Sequence, residues 1–180
     1  MKKTLYIILF LSTISFGQNK FITKTGTINF EASVPSFEEV AAKNNSVTAI
    51  INTENGEIAA LALIKAFRFK NALMEEHFNE NYAESHKFPK ATFKGKLLDF
   101  SIDNLGDRNN LFISGELEFH GVTKQFNKIP VTLEYMNDKI ILSGKFTALA
   151  SDFNIEIPKI VQSKVKDEVQ ITFNFELQKK

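Results

Sequence analysis

The constraint that most narrows the fold is the alternation at the C-terminal end of the chain. Ile171, Phe173, Phe175 and Leu177 interleave with Thr172, Asn174, Glu176 and Gln178. A period of two places all the apolar side chains on one face of an extended strand and all the polar ones on the other. The same pattern recurs at Ile129, Val131, Leu133 and Tyr135, at Leu111, Ile113, Leu117 and Phe119 around Gly115, and at Ile140, Leu142, Phe146 and Ala148 around Gly144. Turn chemistry separates these runs. Asn55-Gly56 is a strong hairpin signal, and Asn137-Asp138 and His120-Gly121 mark further tight reversals. Asn104 to Asn110 forms a polar, glycine-containing loop. Eight strands result, near 20–31, 46–53, 57–69, 91–103, 109–120, 123–135, 138–150 and 168–178.

Eight antiparallel strands with one apolar face each can form a sandwich or a closed barrel. These run to roughly 8–13 residues, against a usual length of about 5–6. Long strands joined by short hairpins favour an up-and-down barrel, which leaves no exposed edge. At this strand number the interior either fills with side chains or holds one small ligand, and the pattern alone leaves both open.

Two helices interrupt the strands. Ser36, after Pro35, caps a first one through Phe37, Val40 and Ala41, ended by Asn44-Asn45. A second, near 71–83, stacks Met74, Phe78 and Tyr82 on one stripe, with Leu73 and His77 beside it and Glu75, Glu76, Asn79 and Glu80 opposite. Such a helix covers a barrel mouth or an outer wall. No internal repeat, linker or low-complexity tract divides the chain.

The N-terminus reads as a cleaved signal peptide. Lys2 and Lys3 precede an apolar run from Leu5 to Ile14, and Ser15-Phe16-Gly17 places small residues at a cleavage site before Gln18. The run falls short of the ~18 apolar residues a membrane span needs. No cysteine follows to accept a lipid anchor. The expected organisation is therefore residues 1–17 as signal and 18–180 as one β-barrel domain, periplasmic or secreted, with no transmembrane segment in the mature chain. Removal of 17 of the 180 residues leaves 163, enough for one core. Loss of Lys2 and Lys3 leaves 20 basic against 21 acidic residues, a formal charge of about −1. That balance, with no long basic run, excludes a nucleic-acid footprint.

The complete absence of cysteine removes disulfides, thiolate nucleophiles, Cys-ligated zinc and iron–sulfur clusters together. No other cofactor is implied. His77, His86 and His120 lack metal-ligand spacing, and Glu75 and Glu76 do not share a helix face with His77. They read as loop and helix-end hydrogen-bonding residues. No Gly-x-Ser-x-Gly elbow or phosphate-binding glycine loop occurs. Asp99, Asp103 and Asp107 fall at a strand end and its loop, as solvated turn residues would, and 103–107 lacks the alternating oxygen ligands of a calcium loop. No catalytic residue and no metal site emerges.

What remains is an apolar set. The chain has no Trp and three Tyr but 18 Phe, so its aromatic mass is almost wholly nonpolar. Phe30, Phe67, Phe69, Phe93, Phe100, Phe119, Phe146, Phe153, Phe173 and Phe175 are spread over the strands, joined by Met74 and Phe78. An ordinary packed core accounts for such a set. Gly95, Gly115 and Gly144, with Ala60, Ala62 and Ala148, point the other way, because small residues among bulky ones suit a ligand's close approach. A long acyl or prenyl chain gains about 0.8 kcal/mol per buried CH₂, enough for tight binding without a polar anchor.

Four blocks carry a family resemblance: Met74 with His77-Phe78, Phe88 to Gly95 (FPKATFKG), His120 to Lys124 (HGVTK), and Asp152 to Ile155 (DFNI). In order and spacing the chain resembles the YceI-like family of exported proteins. The resemblance implies an all-β fold, an eight-stranded antiparallel lipocalin-like barrel with one or two short helices. It further implies an interior that binds a polyisoprenoid or related amphiphile. Gly26 to Phe30 stands where relatives carry a His-Ser pair, and DFNI replaces a DFGI-like block. Combined with the alternation, it suggests a ligand tunnel lined by Phe30, Phe67, Phe69, Met74, Phe78, Phe93, Phe119, Phe146, Phe153 and Phe173. The leading reading is a periplasmic carrier of an isoprenoid or acyl-chain lipid, without catalysis. An envelope stress or interaction module with a filled barrel is the alternative, and an enzyme using His77 or His86 is a third. The oligomeric state is open, a homodimer included.

Overall fold

The computed structural model describes residues 19–34, 38–101 and 109–180. Nine strands form one sheet: β1 (Lys20–Ser33), β2 (Ala41–Asn52), β3 (Glu57–Leu63), β4 (Arg68–Phe69), β5 (Lys90–Leu98), β6 (Asn109–Phe119), β7 (Val122–Met136), β8 (Lys139–Leu149) and β9 (Val165–Lys179). Every pairing is antiparallel and joins neighbours in sequence, apart from β1–β9, β3–β5, which passes over β4, and the two-residue β4 lying against β2. Contacts of β1 with both β2 and β9 close the sheet. The expected eight-stranded antiparallel barrel is borne out, with β4 as a short addition.

Turns sit where the sequence places them, for a local reason. His120 (φ 49°) and Gly121 (φ 74°) join β6 to β7, and Asn137 (φ 52°) and Asp138 (φ 58°) join β7 to β8. Two consecutive left-handed residues give the primed turn whose twist matches the flanking strands. The Asn55-Gly56 reversal is looser: the loop runs from Thr53 to Gly56, and only Gly56 is left-handed.

The expected first helix is a correction. Pro35, Ser36 and Phe37 lie outside the described residues, but Ala41 to Asn45 belong to β2. The period is hidden there because β2 carries an irregularity between Asn44 and Val47, and because an inward position holds a polar residue. Asn44 is fully buried. Its Oδ1 accepts from Ser46 N (2.8 Å) and Ser46 Oγ (2.9 Å), and its Nδ2 donates to Leu63 O (3.1 Å). A buried amide with its bonds made fixes the bulge to the end of β3. The strand expected over 57–69 is likewise divided, by a single 3₁₀ turn at Ile64–Ala66.

The second helix forms as α1 (Ala72–His77), continued by one π turn, Phe78–Tyr82. Asn71 caps it, its Oδ1 accepting from Leu73 N at 2.9 Å. Glu75 ties the helix to β4: Oε1 accepts from Arg68 Nη1 (2.9 Å) and Oε2 from Phe69 N (3.1 Å).

Inward side chains at one end form a solid core. Val47, Ala49, Ile51, Leu133, Ile140, Leu142 and Leu177 have no exposed surface. Phe21 packs edge-on against Tyr135, and Phe100 lies against Gly56 to close that end. The opposite end carries the β1–β2 connection, α1 with its π turn, the His120-Gly121 turn and the β8–β9 connection.

Candidate ligand cavity

Along each strand the inward positions lose their close packing as they approach the second end. Phe30, Phe69, Phe78, Leu117, Phe119 and Ile171 face inward yet are only partly buried. They surround a cavity of about 450 Å³, within the range of small-molecule sites. Its lining is almost entirely apolar. Among the described residues, only the side chains of Glu38, His77, Tyr82, Lys164 and Lys166 bring polar groups to it.

One wall is a cluster of four rings. Phe30 lies 5.4 Å from Phe67, 5.7 Å from Phe69 and 5.2 Å from Phe78, and Phe69 lies 5.3 Å from Phe78, all centroid to centroid. These tilted contacts suit aromatic quadrupoles and stiffen the wall. Met74, Phe78 and Tyr82 reach it from α1 and the π turn. Phe119 and Phe153, 5.6 Å apart, form the facing wall.

Of the ten residues expected to line a tunnel, seven face this cavity: Phe30, Phe67, Phe69, Met74, Phe78, Phe119 and Phe153. Phe93, Phe146 and Phe173 do not. Each is the next inward residue below a lining one (Ala91, Ala148 and Ile171), and together they make a floor. The glycines explain the depth. A Cβ on Gly115 would meet Phe93 Cζ at 2.7 Å, and one on Gly144 would meet Phe173 Cζ at 2.5 Å. The space these glycines leave is therefore filled by the protein's own rings, not held open for a ligand. The hollow is a pocket with a floor rather than a through-going tunnel.

Sequence reasoning missed the non-aromatic lining. Ala91, Leu117, Val169 and Ile171 continue the inward alternation, and their positions signal it. Ile155, Ile157 and Val161 lie in the β8–β9 connection, where no period marks them.

Three of the four sequence blocks converge on His120, beside the cavity wall. His120 Nδ1–H donates to Phe153 O (2.9 Å), and Nε2 lies 3.1 Å from Glu84 Oε2. The Phe88 ring packs edge-on against the imidazole at 4.6 Å. Lys124 donates to Asp152 Oδ1 at 2.8 Å. Glu84, itself left-handed at φ 40°, also pairs with Lys87. Hydrogen bonds from Lys87 and then His120 hold its carboxyl below the usual carboxylate range. Asn154 takes the left-handed conformation (φ 57°, ψ 32°) that a glycine accepts freely, so DFNI makes the same turn a DFGI block would. These blocks build the corner from which Phe119 and Phe153 project.

His77 sits at the cavity rim and His86 is exposed on the loop after the π turn. Among the described residues no three His, Asp or Glu side chains are grouped closely enough to hold a metal ion, and no helix is long and apolar enough to cross a membrane. The 103–107 segment and the residues of the expected signal peptide lie outside the described residues.

Comparison with known proteins agrees with this architecture. A polyisoprenoid binding domain from Saccharophagus degradans, implicated in plant cell wall breakdown, superposes with a TM-score of 0.76 at 14% identity, over 91% of this chain and 99% of that one. Burkholderia cenocepacia BcnA gives 0.68 at 17% identity over 84% and 95%. The Campylobacter jejuni YCEI protein gives 0.61 at 19% identity over 82% and 90%. No curated protein matches the sequence. The YceI-like domain model matches residues 12–177, and the chain belongs to the YceI-like family.

Proposed function

We propose that this chain is a binding and carrier protein for an isoprenoid or other long-chain amphiphilic lipid, held in the open half of the barrel and not chemically altered there. The observation that carries this reading is the apolar cavity of about 450 Å³ between the four-ring cluster and the Phe119–Phe153 wall. The S. degradans neighbour, described as a polyisoprenoid binding domain, supports it. So does the chemistry of the lining, which offers contact area and few hydrogen bonds, as a hydrocarbon chain requires. The chain would thread from the mouth toward the floor at Phe93, Phe146 and Phe173, leaving its head group near His77, Tyr82 and Lys164.

The carrier would work outside the cytoplasm, after loss of residues 1–17 as a signal peptide. A barrel filled by its own side chains would fit the closed end only. Titration with a fluorescent prenyl probe tests the reading. The probe should saturate at one per chain, and Phe119→Asp should abolish uptake while leaving the far-ultraviolet circular dichroism unchanged. Undiminished uptake by that folded variant would remove Phe119 from the site, and no uptake by the unaltered protein would remove the proposal.

A further inference from the structure

The open end carries a surface that holding a ligand does not require. In the β8–β9 connection Ile160 is 87% exposed, more than any other large apolar side chain among the described residues. It is presented by a hydrogen-bonded turn: Val161 N donates to Pro158 O (2.9 Å), Lys164 N to Val161 O (2.8 Å), and Gln162 Nε2 to Ile157 O (3.0 Å). The neighbouring Ile157 and Val161 turn into the cavity, so one short segment faces both ligand and solvent. Lys159, Lys164 and Lys166 lie on the same segment as Ile160, and no acidic residue lies between Ile157 and Lys166. Asp167, just beyond, is engaged by Ser151 N (2.8 Å) and Ser151 Oγ (2.7 Å), exposed Glu168 follows it in β9, and Glu156 lies at the base of the segment. Leu73 (56% exposed) and Leu149 (38%) stand at the same end. Among the described residues toward the closed end, only Met136 and Phe112 are comparably exposed, and neither lines the cavity.

We propose that this end docks on the surface of an anionic lipid bilayer. Ile160 enters the acyl boundary, and Lys159, Lys164 and Lys166 lie at the level of the lipid phosphates. Apolar insertion combined with lysines whose stems are apolar and heads charged is what an interfacial anchor needs. Docking rests on the carrier reading for its purpose, since it sets the cavity mouth against the membrane and spares the lipid a passage through water.

Co-sedimentation with vesicles tests this. Vesicles of phosphatidylglycerol and phosphatidylethanolamine should bind the protein at low salt, and vesicles of phosphatidylcholine alone much more weakly. Added salt should weaken the anionic binding. Ile160→Asp should reduce it about tenfold, and each of Lys159→Glu, Lys164→Glu and Lys166→Glu by roughly fivefold. Failure of the unaltered protein to bind anionic vesicles, or equal binding by Ile160→Asp, would overturn the proposal. A dimer that Ile160→Asp dissolves, without vesicle binding, would also overturn it by assigning the face to a second copy. Uptake of a soluble short-chain prenyl probe, measured on the same samples without vesicles, separates the two readings. Probe uptake without vesicle binding defeats docking alone, whereas vesicle binding without probe uptake defeats the carrier reading and upholds docking.

Discussion

The two halves of the barrel are built from the same eight strands and the same alternation, yet one is solid and the other hollow. The solid half is packed with branched aliphatic side chains, Ile51, Ile113, Leu133, Ile140, Leu142 and Leu177, which interdigitate to almost complete burial. The hollow half pairs rigid rings with small residues, Ala32, Ala91 and Ala148, and its long connections arch over the end. Planar rings braced against one another cannot collapse into the space beside an alanine, whereas isoleucine and leucine side chains mesh. Alternation decides which face a residue takes. Volume and stiffness decide whether that face encloses a space.

The largest test of the contrast is truncation of a leucine in each half. Leu142→Ala should lower stability by about 2–5 kcal/mol because it opens a void in closely packed surroundings. Leu117→Ala, at a wall already facing the cavity, should lose less than about 1.5 kcal/mol. Urea denaturation of the two variants measures the difference, and equal losses would mean that the halves do not differ in packing. Next is the floor between them. Gly144→Ala would bring a Cβ to 2.5 Å from Phe173 Cζ and 2.9 Å from Val131 Cγ1. It should cost about 1–3 kcal/mol and push Phe173 toward the cavity. Weaker prenyl-probe binding, alongside a lower unfolding midpoint, is the expected result.

The corner that supports the hollow half should also show a pH signature. The carboxyl of Glu84 is held below its ordinary range by Lys87 and His120. A depressed carboxylate contributes stability that is present above its unfolded value and is lost as the pH falls through the folded one. The thermal unfolding midpoint should therefore fall in acid below about pH 4, and Glu84→Gln should flatten that limb without altering the neutral-to-alkaline side. The smallest effect expected is at Asn154, where glycine tolerates the left-handed backbone at no steric cost. Asn154→Gly should change stability by no more than about 1 kcal/mol, measured by calorimetry.

The barrel was legible because the period of two survives in nearly every strand and the His120-Gly121 and Asn137-Asp138 turns carry their own chemistry. It failed at β2, where a buried Asn44 and a bulge break the period and leave Val40 to Asn45 looking helical. In the cavity, the rings could be read but their depth could not. Phe93 and Phe173 are inward like Phe119, and they fall to the floor because glycines on neighbouring strands let their rings lie flat. The family blocks pointed to the mouth for a structural reason: Phe88, His120, Lys124, Asp152 and Phe153 fasten its corner together. The residues that line it from the β8–β9 connection left no periodic trace.

Native mass spectrometry of the protein, purified from its source without detergent, tests the central claim most directly. An adduct of one long-chain lipid per chain, absent from Phe119→Asp, is the expected result. A bare chain that also fails to take up an added prenyl lipid would contradict it.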